Sequence, residues 1–468
     1  MTPPEAPLDL SVPRRLHVVG AGGPGMSAIA IVLAEMGHDV SGSDIRERSV
    51  LDRVRASGVR VSVPHDRSLV HDRDAITYST AIPERNIELD EARSRGVMAL
   101  RRAGMLASIC ASARSLGVAG THGKTTTTSM LMLMLAEAGM RPSFVIGGDV
   151  ADMGTGAQWT GGEWLVVEAD ESDGTHLELP LHGTVLTNVD VDHLDHYGSV
   201  EAIVEGFERY LSQIPGPRVV CADDPRCVAL ARSTGSLTYG TSPDADYRAV
   251  DLAATDGSYR FAVEHRGVRM GEVVLPLRGV HNVRNATGAL ALASEIGVPF
   301  AAAASALARF GGVARRFDIR GTDDGITLVD DYAHLPQEIA AVLAAARYSG
   351  DGWSRVVAVF QPNRYNRMEA MWQEYRDAFV DADLVVLTDI YASGTTPIPG
   401  VTGKLVVNAV LDAHPSTRLA WMPRRSDLVE YVAGALRPGD VCISMGCGDI
   451  AAFPDEVAEA RRRRGGRT

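Results

Sequence analysis

Cysteine is scarce in this sequence: its 468 residues include five cysteines, and no two of them form a Cys-x-x-Cys pair. This scarcity argues against a disulfide framework and favours a reducing, cytoplasmic location. Long apolar runs are also lacking, because none reaches the roughly 18–20 residues that a membrane helix requires. The first thirteen residues contain four prolines and two acids, which is unlike a secretory signal. We therefore expect a cytoplasmic protein that does not insert in a membrane.

An excess of positive charge is absent as well. The 46 lysines and arginines are outnumbered by 59 acidic residues, which gives a formal net charge of -13. Without a basic field the chain is not expected to bind nucleic acid, and an anionic substrate must be held by local groups. The hydrophobic content of 45% is ample for a core, and the length suggests two to four domains. The partners that we expect are small-molecule substrates.

The most informative segment is a glycine-rich turn between apolar runs at 116–119 and 130–135, which together predict a strand, a turn and a helix. Glycines allow backbone angles that place N–H groups round a phosphate, and the helix start adds the positive end of its dipole. Lys124 would then lie at the outer phosphates of ATP, and the Thr125 hydroxyl at Mg²⁺. The predicted ATP-phosphate site comprises Gly120, Thr121, His122, Gly123, Lys124, Thr125 and Thr126. Two residues separate its glycines, where the usual pattern has four, so a threonine-rich helix cap with an incidental lysine is the alternative.

A second glycine-rich turn lies between a predicted strand at 14–19 and a predicted helix from Met26 to about Met36. It has the spacing G-x-G-x-x-G, and Asp44 follows it by about twenty residues. This pattern predicts a site for a diphosphate and a ribose, formed by Gly20, Gly22, Gly23, Gly25 and Asp44. An NAD-dependent oxidoreductase and a ligand-free turn are the alternatives. Strand–helix alternation continues to about residue 108, which predicts an open parallel sheet.

Two further predicted strands of the central segment end in polar residues. Glu168 ends one of them, and His193 follows the other. Ligands of open α/β sheets bind beyond the carboxyl ends of strands, so both side chains are candidate Mg²⁺ ligands beside Thr125. Helix capping by the aspartates around His193 is the alternative.

The segment from about 218 to 277 has a different texture, with short apolar runs and turns at Gly257 and Gly267, and we expect antiparallel strands there. An alanine-rich helix to about Ile296 follows. Its start carries an imidazole and two amides that suit either a planar base or a helix cap, namely His281, Asn282 and Asn285.

Residues 311–314 are interpreted as a hinge, after which a third strand–helix unit begins. Its predicted strands, which we expect to form a parallel sheet, lie at 327–330, 356–360, 384–388, 419–422 and 441–444. Its predicted helices lie near 337–347, 368–380 and 426–436. Arg364 and Arg367 stand three residues apart at a loop-to-helix junction, where two guanidinium groups suit a carboxylate. Weak surface salt bridges are the alternative for this pair.

Several of these motifs occur together in one known family. They lie at 17–27, 120–128, 168–174, 187–188, 192–195, 281–285, 315–317, 330–334 and 360–362. In them the chain resembles the Mur ligases over nearly its whole length. The resemblance implies an α/β fold of three domains: an N-terminal Rossmann-like domain, a central P-loop ATPase-like domain with a mixed sheet, and a C-terminal Rossmann-like domain. Their expected bounds are 1–108, which would bind the UDP-sugar, 109–314, which would bind ATP, and 315–468, which would bind the amino acid.

The resemblance also implies roles for individual residues. The UDP-sugar would be bound by Gly20, Gly22, Gly23, Gly25, Met26 and Asp44. Besides the phosphate turn, ATP would be bound at its adenine and ribose by His281, Asn282, Asn285 and Asp330. The implied metal ligands are Thr125, Glu168 and His193, and the implied catalytic residues are Lys124, His193, Arg315 and His334. The amino-acid pocket would comprise Tyr332, His334, Arg364 and Arg367.

The activity implied is that of an ATP-dependent carboxylate–amine ligase with ATP and Mg²⁺ as cofactors. It would join an amino acid, L-alanine in the members that this chain most resembles, to the carboxylate of UDP-N-acetylmuramate through an acyl phosphate. Such a reaction serves peptidoglycan synthesis, and through it cell division and cell shape. A monomer or a homodimer is expected.

Three positions depart from the family pattern. Leu335 and Asn363 stand where the family usually has histidines, and Thr395 stands where it has a glutamate. The identity of the amino acid is therefore open, and a paralogue that uses a different amino acid or sugar acid is the alternative. A regulatory ATP-binding protein would leave the pair Arg364 and Arg367 unexplained.

Overall fold

The computed structural model describes residues 7–192 and 197–465. By their internal contacts these residues divide into two compact units. The first consists of Met1–Asp251, Phe261–Leu275 and Arg284–Gly311, and the second of Leu252–Arg260, Pro276–Val283 and Gly312–Thr468, each within the described ranges. None of the helices that the described residues form is long and apolar enough to cross a membrane.

The N-terminal part of the first unit is the parallel sheet that the sequence predicts. Its strands are β1 (Arg15–Val19), β2 (Asp39–Ser43), β3 (Arg60–Ser62), β4 (Ala75–Tyr78) and β5 (Met98–Arg101), in the order β3-β2-β1-β4-β5. All neighbouring pairs run parallel. The helices here are α1 (Pro24–Glu35), α2 (Val50–Ala56), α3 (Ile87–Arg95) and α4 (Arg102–Cys110). The glycine-rich turn therefore lies at the carboxyl end of the central strand, where ligands of such sheets bind.

The central part of the chain is a larger mixed sheet. Its strands are β6 (Arg114–Ala119), β7 (Ser143–Val150), β8 (Thr155–Gln158), β9 (Trp164–Glu168), β10 (Gly183–Leu186), β11 (Arg218–Cys221), β12 (Leu237–Gly240), β13 (Tyr247–Thr255), β14 (Ser258–His265) and β15 (Val268–Leu275). Their order is β15-β14-β13-β12-β11-β10-β6-β9-β7-β8. The helices are α5 (Lys124–Glu137), α6 (Val200–Gln213), α7 (Pro225–Thr234), α8 (Val280–Glu295) and α9 (Phe300–Ala308).

The segment from 218 to 277 differs from its prediction at its start. β11 and β12 pair in parallel, joined by α7, and β12 pairs in parallel with β13, so the expected antiparallel pairing is wrong for these strands. The helix is specified by Asp224, whose side chain accepts from two N–H groups of the first turn, and by Gly235, which ends the helix with φ 67°. The predicted turns at Gly257 and Gly267 are present, with φ 75° and 78°.

The second unit contains a third sheet. Its strands are β16 (Asp318–Asp323), β17 (Ile326–Asp331), β18 (Arg355–Phe360), β19 (Leu384–Leu387), β20 (Leu419–Trp421) and β21 (Asp440–Met445), in the order β16-β17-β21-β18-β19-β20. The helices are α10 (Pro336–Arg347), α11 (Tyr365–Met371), α12 (Lys404–Ala413), α13 (Arg425–Ala435) and α14 (Phe453–Gly465). The five predicted strands are present and their neighbours run parallel.

One strand and one helix of the second unit differ from the prediction. β16 adds an antiparallel strand beside β17. Its sequence is polar and mostly exposed, so it carries no apolar alternation that would indicate a strand. The helix predicted near 368–380 ends at Met371 and continues as a 3-10 turn over Trp372–Asp377.

Candidate active site

The phosphate turn has the geometry that its glycines allow. β6 ends at Ala119 and α5 begins at Lys124, so the turn occupies four residues. Gly120 has φ 123° and Gly123 has φ 79°, both in the region that side chains avoid. A β-carbon at Gly120 would lie 2.2 Å from Thr187 Oγ1, and one at Gly123 would lie 2.7 Å from Asn285 Oδ1. Both glycines are therefore required by conformation and by space.

The loop after β10 holds this turn in place. The Thr187 hydroxyl donates to the His122 carbonyl at 2.6 Å. Asn188 binds the same peptide segment twice, because its Oδ1 accepts from His122 N at 2.9 Å and its Nδ2 donates to His122 O at 3.0 Å. His122 Nε2 lies 3.1 Å from Asp190 Oδ2. The N–H and the carbonyl of His122 are thus satisfied by a neighbouring strand end, which holds this part of the loop in place.

We expect Gly120→Ala to lower the thermal stability and to raise the KM for ATP by about tenfold or more, because both the strained φ and the contact with Thr187 must be relieved. Gly139→Ala is the matched control. Gly139 has φ 76° but no atom within 4 Å of the added methyl group, so it has the strain without the clash. The melting temperature and the KM for ATP of both variants separate the two causes. Equal KM values for the two variants would contradict this account.

Lys124 is buried against acidic residues. Its Nζ donates to both oxygens of Glu171, at 3.0 and 2.9 Å, and to the Gly120 carbonyl at 2.7 Å. Burial lowers the pKa of the Lys124 ammonium, but the charges of Glu171 and Asp170 outweigh burial and the pKa is raised overall. Burial raises the pKa of the Glu171 carboxyl to about 7, against the opposing charge of Lys124. Lys124 is therefore a cation, held by Glu171 where the phosphates are expected.

Glu168 meets the requirements for a hard metal ion. It ends β9, which pairs with β6 immediately before the phosphate turn. Among the described residues its buried Oε1 has no hydrogen-bond partner, and a β-carbon at Gly147 would lie 2.7 Å from its Oε2. A carboxylate oxygen left unpaired in this way suits Mg²⁺, which binds through one or two carboxylates and completes its shell with phosphate oxygens and water. The predicted ligand His193 lies outside the described residues.

The described residues contain no group of three or more His, Cys, Asp or Glu side chains that could hold a metal ion. Thr125, the remaining predicted ligand, is buried at the first turn of α5.

The N-terminal glycine turn is organised by Asp44. Its Oδ2 accepts from Gly22 N at 2.9 Å, and a β-carbon at Gly22 would lie 2.6 Å from the same oxygen. Beside the turn is a cavity of about 480 Å³, lined by Gly22, Ser27, Ala28, Ile31, Arg48, Ser49, Val50, Arg53, Ile146, Gly147, Gly148, Asp149, Thr155, Gly156 and Ala157. The cavity thus extends from the predicted diphosphate turn to Gly147, which contacts Glu168.

The second unit brings together Arg315, Asp330 and Tyr332. Arg315 Nε donates to Asp330 Oδ2 at 2.9 Å, and its Nη2 donates to the Gly446 carbonyl at 2.7 Å. Its guanidinium carbon lies 5.0 Å from the centre of the Tyr332 ring. Asp330 is fully buried, and its Oδ1 has no hydrogen-bond partner in the part of the chain that the structure describes. Burial raises the pKa of the Asp330 carboxyl, and the charge of Arg315 opposes that rise.

His334 is fixed beside this cluster. Its Nδ1 lies 3.1 Å from the Tyr332 carbonyl and 3.2 Å from Glu338 Oε2, and its own carbonyl accepts from the Tyr375 hydroxyl at 2.7 Å. The ring stands edge-on to Tyr332, with the ring centres 5.4 Å apart. A carboxylate at one ring nitrogen orients the imidazole and leaves the other nitrogen to exchange a proton.

The predicted arginine pair lies at the start of α11. Arg364 precedes the helix with φ 60°, a strained conformation for a residue other than glycine, and Arg367 is in the first turn. Burial raises the pKa of the Cys447 thiol, while the positive charges of Arg367, Arg364 and Arg315 oppose that rise. The positive charges of these three arginines thus act on the same thiol, and guanidinium groups suit an anionic ligand.

The three predicted adenine-binding residues do not fall in one unit. His281 and Asn282 belong to the second unit, and Asn285 to the first. Asn282 Nδ2 donates to the Arg278 carbonyl at 2.8 Å, and a β-carbon at Gly279 would lie 2.4 Å from His281 Cε1. Asn285 lies against Gly123 of the phosphate turn.

The three positions that depart from the family pattern have structural roles. Leu335 is 2% exposed and precedes α10. Asn363 is also 2% exposed, and its Oδ1 accepts from Arg367 Nη1 at 3.1 Å. Thr395 Oγ1 accepts from Tyr365 N at 3.0 Å, so it satisfies a backbone donor at the start of α11. The last two substitutions thus help to position the arginine-bearing segment.

Sequence reasoning did not identify Glu171, Asp190 or Cys447 as members of these clusters. Each of them follows a strand by a few residues, as do the residues that were identified. Lys124 and His122, the partners of Glu171 and Asp190, come from distant segments, so nothing in the local sequence indicates the pairing. Strand-end position was the one available signal.

Three family profiles match successive parts of the chain. The profile of the Mur ligase family catalytic domain matches residues 15–114, that of the Mur ligase middle domain matches 118–293, and that of the Mur ligase glutamate ligase domain matches 315–448. Together they cover both sheets of the first unit and the sheet of the second.

Individual relatives match over nearly the full length. The UDP-N-acetylmuramate–L-alanine ligase of Acidothermus cellulolyticus is 45% identical over 98% of this chain and 97% of its own, and that of Pelobacter propionicus is 42% identical over 93% and 95%. The crystal structure of the UDP-N-acetylmuramate–alanine ligase of Thermotoga maritima superposes with a TM-score of 0.80 at 28% identity, over 97% of this chain and all of that one. On these similarities, together with the site described above, the chain belongs to the Mur ligase family.

Proposed function

We propose that this enzyme joins L-alanine to the carboxylate of UDP-N-acetylmuramate in an ATP-dependent reaction, as the names of its relatives state for them. The observation that carries the proposal is the cavity beside the N-terminal glycine turn. Its lining runs from Gly22, beside Asp44, to Gly147, which lies against the carboxylate of Glu168. A UDP-sugar whose diphosphate binds at this turn can extend along the cavity towards Glu168.

The reaction requires activation of a carboxylate that does not react with an amine by itself. Transfer of the γ-phosphoryl group of ATP to that carboxylate yields an acyl phosphate and ADP. The amine of the amino acid then attacks the acyl carbon, and phosphate leaves as the amide forms. Lys124 and Arg315 are proposed to offset the negative charge that develops during transfer. Bound Mg²⁺ would supply Lewis-acid polarisation of the phosphates, with Thr125, Glu168 and His193 as its protein ligands.

The other residue roles are proposed on the same basis. Asp330 would bind the ATP ribose, with His281, Asn282 and Asn285 at the adenine. Tyr332, Arg364 and Arg367 would bind the amino acid, and the fixed imidazole of His334 would accept the ammonium proton that must be lost before attack. The domain bounds proposed are 1–108, 109–314 and 315–468, although α4 (Arg102–Cys110) crosses the first of them. A cytoplasmic location and a monomeric or homodimeric state belong to the same proposal.

The direct test is release of phosphate from ATP in the presence of UDP-N-acetylmuramate and each common amino acid in turn. We expect release to require all three substrates and to be fastest with L-alanine. Release without the UDP-sugar would indicate a regulatory ATPase instead. A fluorescence change on addition of NADH would revive the oxidoreductase alternative, which leaves Lys124 and its loop without a role.

A paralogue with another amino acid is the second candidate, and Leu335 and Asn363 favour it. We expect Leu335→His/Asn363→His to change the kcat/KM ratio of alanine over glycine and serine by about tenfold, since pocket contacts of one methylene are worth roughly 1–3 kcal/mol. Asn366→His is the matched control, because Asn366 is exposed on α11, three residues after Asn363. The measurement compares the three amino acids in each protein. Identical ratios in all proteins would mean that Leu335 and Asn363 do not set the selectivity.

A further inference from the structure

Arg102 lies at the boundary between the two glycine-turn regions of the first unit, although no motif includes it. It is the first residue of α4, which follows β5 directly. Its Nη2 donates to Asp170 Oδ2 at 3.0 Å and to Asp173 Oδ2 at 2.9 Å. These aspartates follow Glu168 at the end of β9. The Nη2 edge of the guanidinium is therefore anchored to the acidic segment that follows β9.

The other edge of the same guanidinium faces the N-terminal glycine turn. A β-carbon at Gly25 would lie 3.4 Å from Arg102 Nη1 and 3.5 Å from its Cδ. Gly25 is in the first turn of α1, and that helix has no side-chain cap and no acidic residue in its first turn. A cation beside the positive end of a helix dipole is unfavourable unless an anion joins them.

Asp170 and Asp173 neutralise part of the positive charge of Arg102, and both contact it at Nη2. Burial lowers the pKa of Arg102, but the charges of Asp173 and Asp170 outweigh it, so the guanidinium is firmly protonated. Two carboxylates contact Nη2, whereas the Nη1 edge lies against Gly25. An arginine held in this way is already ordered, so it loses little conformational entropy when it donates to a ligand.

We propose that Arg102 binds the diphosphate of the nucleotide sugar from its Nη1 edge while Asp170 and Asp173 hold its Nη2. This inference rests on the proposed function, and it adds a binding residue to the diphosphate turn formed by Gly20–Gly25. It also gives the turn a physical connection to the ATP site. Asp170 and Glu171 are adjacent, and Arg102 binds the first while Lys124 binds the second.

The test measures binding of UDP-N-acetylmuramate by calorimetry to the full chain and to Arg102→Gln and Arg102→Lys, with UDP measured by displacement. We expect the Gln variant to bind both ligands about 10- to 100-fold more weakly, as for loss of a hydrogen bond to a charged group. The Lys variant keeps a point charge but loses the fork, so it should lie in between. Binding of ATP and the melting temperature report whether the Lys124 loop and the fold are intact.

Arg101→Gln is the matched control. Arg101 precedes Arg102, is half exposed, and makes its own ion pair with Glu178 at 3.3 Å. We expect its affinity for both ligands to equal that of the natural chain. A merely structural role for Arg102 would lower the melting temperature of the Gln variant and leave the affinity for the nucleotide sugar unchanged, which would overturn the inference.

The remaining outcomes are also decisive. Weaker binding of UDP-N-acetylmuramate with unchanged binding of UDP would place Arg102 at the sugar acid and overturn the diphosphate assignment. Failure of the natural chain to bind either ligand would defeat the proposed function, and this inference with it. Normal binding by the natural chain and by both Arg102 variants would defeat this inference alone.

Discussion

Replacement of Lys124 by alanine is expected to lower the kcat for ATP turnover by about 10²–10³-fold, which is on the order of removing one donor from a preorganised oxyanion site. Its Nζ is the cation at the helix start of the phosphate turn, held by Glu171 and by the Gly120 carbonyl. The loss arises in the transition state, where charge spreads over the transferring phosphoryl oxygens. Single-turnover phosphoryl transfer with saturating ATP measures it. Near-normal turnover would mean that the turn is not a phosphate site.

The stability of this variant should depend on pH, because Lys124 partners a buried acid. Burial raises the pKa of Glu171 from 4.5 to about 7 even with Lys124 present, and without that cation it rises further. A carboxyl whose folded pKa is raised contributes stability below its unfolded pKa, and this is lost as pH rises through the folded value. The melting temperature of Lys124→Ala, relative to the natural chain, should therefore fall from pH 6 to pH 8.

Lys124→Met/Glu171→Gln is the control for that pH effect. It removes the buried carboxyl together with its partner, so the relative melting temperature should no longer change with pH. Its turnover should remain as low as that of Lys124→Ala, since the missing cation is the cause of the catalytic loss. If the double variant recovered activity, the defect would lie in an unpaired Glu171 and not in the phosphates.

The parallel sheet of the second unit was predictable because its central strands are largely apolar runs bounded by polar residues. In β17, β18 and β21 all residues but Arg355 are buried, and such runs are typical of strands covered on both faces. β16 and the parallel pairing of β11 with β12 were not predictable from local pattern. β16 is an exposed polar edge, and the second pairing depends on α7 packing over the sheet.

In the candidate site, too, some residues were predictable from the local sequence and others depend on contacts between distant segments. Gly120, Gly123 and Lys124 are specified by the backbone angles and charge that a phosphate needs, and these requirements are visible in the sequence. The partners Glu171, Asn188 and Arg102 are specified by where distant segments meet. From the sequence alone, a glutamate three residues after a strand could equally bind a lysine or cap a helix. Such pairings require the fold.

Replacement of Glu168 by glutamine should weaken the response to Mg²⁺ more than any other property. Within the described part of the chain its buried Oε1 has no hydrogen-bond partner, so the amide removes the charge without breaking a hydrogen bond at that oxygen. Loss of even an outer-shell partner of a metal costs about 10–100-fold, so loss of a ligand should lower kcat by about 10²-fold or more at low Mg²⁺. Activity should recover in part at high Mg²⁺.

The matched control for Glu168→Gln is Glu163→Gln. Glu163 immediately precedes β9, and its exposed carboxylate forms an ion pair with Arg114 at 2.9 Å. The measurement is kcat against Mg²⁺ concentration, with calorimetry of ADP binding in the presence and absence of Mg²⁺ as a readout independent of turnover. The control should follow the natural chain in both. Glu168→Gln should bind metal-free ADP normally and lose the gain that Mg²⁺ provides. If its Mg²⁺ dependence matched that of the control, the buried carboxylate would be a structural acid and the metal would be held by other groups.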